Sequence, residues 1–135
     1  MSGIRGQDTK PELAVRRSLH ALGFRYRIHG RKLPGRPDLV LAGYRAVIFV
    51  NGCFWHGHNC PLFRLPRTRT EFWAEKLGRN CRRGQGNYQK LAEAGWRIAI
   101  VWECALKGRE GRVELVTAML ANWLKGDVTT LEIAR

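Results

Sequence analysis

The chain has 135 residues, a length that suits one ordinary domain, and we expect a single domain over residues 1–135. It carries 24 Lys and Arg against 11 Asp and Glu, a formal net charge of +13, and its 44% hydrophobic content argues against disorder. The charge indicates a polyanionic partner, nucleic acid first, while the absence of a signal segment and of long apolar runs predicts a cytoplasmic protein without a membrane partner.

The first predicted element is a helix that begins after Thr9. Glu12 follows Thr9 by three residues, which is the spacing of a capping box, and Gly23 suits the end of the helix. Between these signals, apolar side chains recur at helical spacing and predict the buried face: Val15, Leu19 and Leu22.

Three strands are predicted next. Residues 24–28 alternate apolar and basic side chains, which is typical of a half-buried strand. Residues 39–41 and 45–50 are strongly apolar, and Gly43 between them predicts a hairpin. The hairpin would place Asp38 beside residues 49–51 of the returning strand.

The second half of the chain predicts helices around one buried strand. Thr70 could cap a helix, which glycines weaken before it resumes over residues 88–94. Residues 98–102 form a continuous apolar strand, and a last amphipathic helix spans roughly residues 109–125. The order α-β-β-β-α-β-α predicts an α/β fold with helices around a mixed sheet.

A loop rich in cysteine and histidine suggests a metal site. Cys53, Cys60 and a histidine could bind zinc with Cys104, which follows the strand at 98–102. Spacing leaves open whether His56 or His58 is the ligand, and the alternative is that the cysteines are only small buried side chains.

Asp38 directly precedes an apolar strand in a very basic protein. A carboxylate at a strand edge is a natural Mg²⁺ ligand and would suit phosphodiester cleavage. The alternative is a turn residue that only starts the strand. Glu12 and His56 are acid–base candidates, although isolated residues of these types are more often a cap partner and a solvated loop residue.

Aromatic side chains are interleaved with arginines. Phe54 and Trp55 lie in the Cys/His loop, and such side chains can wedge between base pairs. Phe72 is expected to belong to the core, and Cys81 is expected to be a free thiol. The arginines that precede Phe72 and Trp73 are Arg64, Arg67 and Arg69.

Several motifs together resemble the very short patch repair (Vsr) DNA mismatch endonucleases. The similar stretches run from about residue 7 to about residue 110, and they are Leu33-Pro-Gly-Arg-Pro-Asp38, Gly52-Cys-Phe-Trp-His56 with Cys60, Thr68-Arg-Thr-Glu-Phe-Trp73, Gly95-Trp96 and Val101-Trp-Glu-Cys104. The resemblance implies a restriction-endonuclease-like core related to the PD-(D/E)xK nucleases, with a mixed sheet flanked by helices and a structural zinc. It implies Mg²⁺-dependent nicking of one strand of duplex DNA, 5′ to the thymine of a T:G mismatch.

The resemblance also implies a role for each matching residue. Asp38 would bind Mg²⁺ with the backbone carbonyl of Val50, His56 would activate the attacking water, and Glu12 would support the site. The zinc ligands would be Cys53, His58, Cys60 and Cys104. The DNA wedge would be Phe54, Trp55 and Trp73, with Lys76 and Asn80 reading the mismatched pair.

The sequence departs from the family pattern at a few positions, and these departures bear on function. Val50-Asn51 stands where the family usually has Thr-His, and Gly84 and Asn87 stand where it often has Asp. The alternatives to a T:G endonuclease are therefore a zinc-stabilised, non-catalytic binder of distorted DNA, or the same core acting on another mismatch or lesion. The expected partners are mismatched duplex DNA and, as a further class, mismatch-repair proteins, with the chain acting as a monomer.

Overall fold

The computed structural model describes residues 9–53, 56, 58, 65–107 and 111–134. Its helices are α1 (Lys10–Ala21), α2 (Thr70–Glu93), α3 (Glu103–Leu106) and α4 (Arg112–Lys125). Its strands are β1 (Arg27–Ile28), β2 (Leu39–Leu41), β3 (Ala46–Asn51), β4 (Arg97–Trp102) and β5 (Thr130–Ile133). None of the described helices combines the length and the apolar character needed to cross a membrane.

The described strands form one mixed sheet in the order β1-β2-β3-β4-β5. The first three strands pair antiparallel, and β3, β4 and β5 pair parallel. The predicted hairpin of β2 and β3 is confirmed, and Gly43 lies at its bend, inside a 3₁₀ turn (Ala42–Tyr44). Arg45 closes that turn with a φ of 52°.

The two faces of the sheet carry different helices. Side chains of β3 alternate, so that Ala46 and Ile48 join the cluster that holds α1 and α4, while Val47 and Phe49 join the cluster under α2. The first cluster includes Val15, Leu19, Val116, Leu120 and Leu124. The predicted α/β architecture, with a mixed sheet between helices, is confirmed.

The N-terminal predictions hold only in part. The side chain of Thr9 accepts a hydrogen bond from the Glu12 N–H at 3.3 Å, as an N-cap should. Leu22 is 57% exposed, so its predicted place on the buried stripe is wrong, because α1 ends at Ala21 and Gly23 turns the chain with a φ of 96°. The predicted strand at residues 24–28 shortens to β1.

The second half of the chain differs more from the predictions. The helix predicted to be interrupted is one 24-residue element, α2, because Leu77 and Leu91 are buried along it and offset the cost of its glycines. Thr70 is its first residue rather than its cap, since its hydroxyl donates to the carbonyls of Pro66 and Arg67. The prediction also missed α3 and the edge strand β5, and the described part of the last helix begins at Arg112.

Candidate active site and metal centre

A cavity of about 570 Å³ opens at one edge of the sheet. The parallel strands β3 and β4 both end there, and β2, which runs antiparallel to β3, begins there. The cavity lies between the first turn of α1 and the middle of α2. Polar and charged side chains that line it include Glu12, Asp38, Asn51, His56, Arg83, Tyr88 and Glu103.

Asp38 lies where the hairpin prediction put it. Leu39 pairs with Ile48 in the sheet, so the preceding residue, Asp38, comes beside the end of β3. Its Oδ2 accepts a hydrogen bond from the Val50 N–H at 2.6 Å. This bond fixes the carboxyl group at the cavity and confirms the predicted position.

Glu12 brings a second carboxyl group to the same place. Its side chain is 1% exposed, and its Oε2 contacts Arg16 at 2.5 Å and His29 Nδ1 at 3.9 Å. Burial raises the pKa of Asp38 to about 7, and the negative charge of Glu12 adds to this rise, while the Val50 N–H and Arg16 oppose it. A cation at this place would stabilise the ionised form of the buried Asp38 carboxyl.

His56 lines the cavity from the Cys/His loop. Its ring meets the ring of Trp102 edge-on, with centroids 5.8 Å apart, and its carbonyl accepts a hydrogen bond from the Cys81 thiol at 2.7 Å. Burial lowers the pKa of His56, which favours the neutral imidazole. A neutral imidazole can accept a proton. Cys81 carries no disulfide, as the sequence predicted.

Cys53, His58 and Cys104 form a compact group next to this cavity. Their ligand atoms all lie within 4.8 Å of one another, both cysteines are fully buried, and the Cys104 Sγ is 3.7 Å from His58 Nδ1. The ring of His58 stacks on Trp102 with centroids 4.0 Å apart. Tetrahedral zinc would bring a sulfur and a nitrogen ligand to roughly 3.5 Å, so this group could bind a metal ion.

His58, rather than His56, therefore joins the two cysteines. The predicted fourth ligand, Cys60, lies outside the described residues, as do Phe54, Trp55 and Arg64. Of the predicted wedge, only Trp73 belongs to the part of the chain that the structure describes, and of the three predicted phosphate contacts only Arg67 and Arg69 do.

The first half of α2 carries the other predicted DNA-contacting residues. Asn80 lines the cavity, and Trp73 and Lys76 precede it on the same side at helical spacing, with the Lys76 Nζ 5.8 Å from the centre of the Trp73 ring. Arg67 and Arg69 are exposed just before the helix. Phe72 is 39% exposed beneath the Arg69 guanidinium, so its assignment to the core is wrong, because α2 packs on the sheet through its C-terminal part around Leu91.

Sequence reasoning missed two residues of the cavity, Tyr88 and Glu103. The Tyr88 hydroxyl accepts a hydrogen bond from the Asn51 side-chain amide at 2.9 Å, its ring packs edge-on against Phe49, and burial raises its pKa. Glu103 accepts a hydrogen bond from the Cys53 N–H at 3.3 Å. Two signals in the sequence could have indicated these residues. Tyr88 lies one helical turn after Gly84, and Glu103 directly follows a buried strand.

Comparison with known proteins shows the family to which this chain belongs. The family model for the DNA mismatch endonuclease Vsr matches residues 1–62. The DNA mismatch endonuclease Vsr of Escherichia coli is 46% identical over 98% of this chain and 86% of its own length. The chain therefore belongs to the Vsr family of DNA mismatch endonucleases and nicking enzymes, which are phosphodiester hydrolases.

Other members of the family carry different names. The type II nicking enzyme V.XorIIP of Xanthomonas oryzae pv. oryzae is 47% identical over 78% of this chain and 78% of its own length. The type II nicking enzyme V.NmeAIP of Neisseria meningitidis serogroup A is 43% identical over 81% of this chain and 78% of its own length. Membership in the family thus establishes a DNA-nicking hydrolase, in a family whose members are named both as a mismatch endonuclease and as type II nicking enzymes.

Proposed function

We propose that the protein is a Mg²⁺-dependent endonuclease that nicks one strand of duplex DNA 5′ to the thymine of a T:G mismatch. It would thereby start very short patch repair of deaminated 5-methylcytosine. The observation that carries the proposal is the carboxyl pair of Glu12 and Asp38 at an open cavity that His56 also lines. The name of the Escherichia coli relative supports the mismatch substrate.

The donor sets fit two different metals. Asp38 and the Val50 carbonyl would hold Mg²⁺, a hard cation that typically binds one or two protein carboxylates and keeps several waters. Burial, and after it the negative charge of Glu12, raises the pKa of Asp38, and a bound cation would stabilise the ionised carboxylate against both effects. Cys53, His58 and Cys104, with Cys60 as fourth ligand, would hold a structural zinc.

Each residue of the cavity has a part in hydrolysis. Mg²⁺, when bound, supplies positive charge that stabilises the charge developing on the scissile phosphate. His56 takes a proton from the attacking water, whose oxygen bonds to phosphorus as the bond to the 3′ oxygen breaks. The 3′ oxygen takes up a proton, and the products are a 3′-hydroxyl and a 5′-phosphate. Glu12 supports Asp38 from α1.

The basic surface beside the cavity is proposed to bind the duplex. Trp73, with Phe54 and Trp55, would wedge at the mismatch, and Lys76 and Asn80 would read the mismatched pair. Arg64, Arg67 and Arg69 would hold phosphates and fix the register. We further propose a single restriction-endonuclease-like domain, related to the PD-(D/E)xK nucleases, that acts as a monomer.

One experiment tests the substrate. The wild-type protein is incubated with Mg²⁺ and duplexes that contain T:G, T:I, A:C or no mismatch, and nicked strands are resolved on a denaturing gel. We expect nicking of the T:G duplex on the thymine strand only, with none on the matched duplex. Preferential nicking of another duplex would indicate that the same nuclease core acts on a different mismatch or lesion. The relatives named type II nicking enzymes are compatible with that alternative. Binding of the T:G duplex without nicking would contradict the proposed activity.

A further inference from the structure

The cavity has two chemically different sides. Its carboxyl groups come from α1, from the start of β2 and from the end of β4: Glu12, Asp38 and Glu103. The side formed by α2 carries only hydrogen-bond donors or amides at its polar positions: Asn80, Arg83, Asn87 and Tyr88. A phosphodiester is repelled by the first side unless a cation intervenes, whereas it can approach the second directly.

Tyr88 is the neutral donor on the α2 side, and its hydroxyl is oriented by a neighbour. The Asn51 Nδ2 donates to the Tyr88 oxygen at 2.9 Å, and Asn51 is only 6% exposed. Because the oxygen accepts that bond, the hydroxyl hydrogen is left to donate elsewhere. Edge-on packing against Phe49, with centroids 5.1 Å apart, holds the ring.

Tyr88 also has room beside its hydroxyl, and it lines the same cavity as the acidic side chains. A Cβ at Gly84, one turn earlier on α2, would lie 3.9 Å from the Tyr88 oxygen, so the missing side chain leaves room there. The negative charge of Asp38 acts on the same hydroxyl. Burial is the main cause that raises the pKa of Tyr88; the charges of Glu132 and Asp38 add to it, and the Asn51 hydrogen bond opposes it. The raised pKa keeps the group protonated at neutral pH.

We propose that Tyr88 is a catalytic residue whose hydroxyl donates a hydrogen bond to a non-bridging oxygen of the scissile phosphate, and that Asn51 is the positioning residue that aims it. The inference rests on the proposed nicking activity. Val50 and Asn51 are consecutive, so the end of β3 orients both groups: the Val50 N–H holds Asp38, and the Asn51 amide holds Tyr88. A donor aimed at developing charge acts mainly on the rate of the chemical step.

The first test is Tyr88→Phe, which removes only the hydroxyl and keeps the ring on Phe49. We expect single-turnover nicking of the T:G duplex to fall about 10- to 100-fold, the size expected for a hydrogen bond to a charged group. Affinity for the duplex, measured by anisotropy without Mg²⁺, should change by less than about threefold. Tyr44→Phe is the matched control, because Tyr44 packs on Phe24 at the opposite end of β3 and should nick like the wild type.

The second test uses a substrate that carries a phosphorothioate at the scissile link, in each of its two stereochemical forms. Replacing oxygen by sulfur should slow nicking by the wild type, because sulfur is a weaker acceptor of the hydrogen bond from Tyr88. For one of the two stereochemical forms, this slowing should be much smaller in Tyr88→Phe, which has no such bond to lose; for the other form, the slowing should be the same in both proteins. Asn51→Ala should slow nicking less than Tyr88→Phe, and the double variant should be no slower than Tyr88→Phe alone.

The outcomes separate the two proposals. If wild-type protein leaves every duplex intact, the proposed function fails. If wild-type protein nicks but Tyr88→Phe nicks within about twofold of it, or slows both phosphorothioate forms alike, the role of Tyr88 is overturned.

Discussion

Two groups of side chains that could bind metal ions lie side by side in this protein, and the difference between them separates a structural site from a catalytic one. The group of Cys53, His58 and Cys104 has fully buried thiols and a histidine stacked on Trp102. The carboxyl pair of Glu12 and Asp38 opens onto a cavity of about 570 Å³. Closed sets of thiol and imidazole ligands are typical of structural zinc, whereas open carboxylate sets leave room for water and substrate.

The end of β4 joins the two groups through three consecutive residues. Trp102 stacks on His58, Glu103 lines the cavity, and Cys104 belongs to the thiol group. The Cys53 N–H also donates to Glu103. Two members of the thiol group, Cys53 and His58, flank His56 in the chain. We therefore expect loss of the thiol group to affect chiefly the fold and loss of the carboxyl pair to affect chiefly the reaction.

The largest effect is predicted for Cys104→Ser. Removing one buried ligand should lower the metal content from about one zinc per chain towards zero. Because binding of a structural zinc contributes directly to folding, thermal unfolding followed by circular dichroism should lose its cooperative transition or shift by more than about 10 °C. Cys81→Ser is the matched control and should keep both zinc and stability. If Cys104→Ser kept its full zinc content and wild-type stability, the thiol group would not be a structural metal site.

Asp38→Asn should produce the opposite pattern. The amide oxygen can still accept the Val50 N–H, so the fold and the zinc content should be preserved. Nicking of the T:G duplex should fall by at least about a thousandfold, because the side chain loses the charge that holds Mg²⁺. The rise in unfolding temperature that Mg²⁺ gives the wild type should disappear. Asp127→Asn, at an exposed position, is the control.

The stability of the wild type has a predicted pH dependence that Asp38→Asn should lack. The pKa of Asp38 is raised to about 7 in the fold, above its value of roughly 4 in an unfolded chain. Its protonated form therefore favours the folded state below pH 4, and this contribution is lost as the pH rises through 7. Metal-free wild type should lose stability relative to Asp38→Asn between pH 4 and 8 in urea unfolding. Parallel curves for the two proteins would contradict the raised pKa.

Local patterns predicted the parts of this contrast that depend on neighbouring residues in the chain. The cap at Thr9 and the hairpin of β2 and β3 are local, and the hairpin was enough to put Asp38 beside Val50. Predicting the thiol group also required a contact between residues distant in the chain, Cys53 and Cys104. The apolar strand that directly precedes Cys104 indicated this contact.

Other parts could not be predicted because distant elements create them. The hydrogen bond of Asn51 to Tyr88 joins residues 37 positions apart, and only the packing of α2 on the sheet brings them together. The continuity of α2 depends on the buried side chains of Leu77 and Leu91, which outweigh the intrinsic preference of its glycines. Strand β5 is short and mostly exposed, so it has little hydrophobic pattern to detect.

The smallest effect, and the sharpest test of the boundary between the two groups, is predicted for Glu103→Gln. The substitution keeps an oxygen that can accept the Cys53 N–H, but it removes a negative charge from the cavity. Zinc content should stay unchanged. The Mg²⁺ concentration for half-maximal nicking should rise about two- to fivefold, since a nearby unit charge contributes on the order of 1 kcal/mol through a partly screened path. Glu114→Gln, on the exposed side of α4, provides the control. Loss of zinc with an unchanged Mg²⁺ requirement would contradict this prediction. It would show that Glu103 supports the thiol group and does not contribute to Mg²⁺ binding in the cavity.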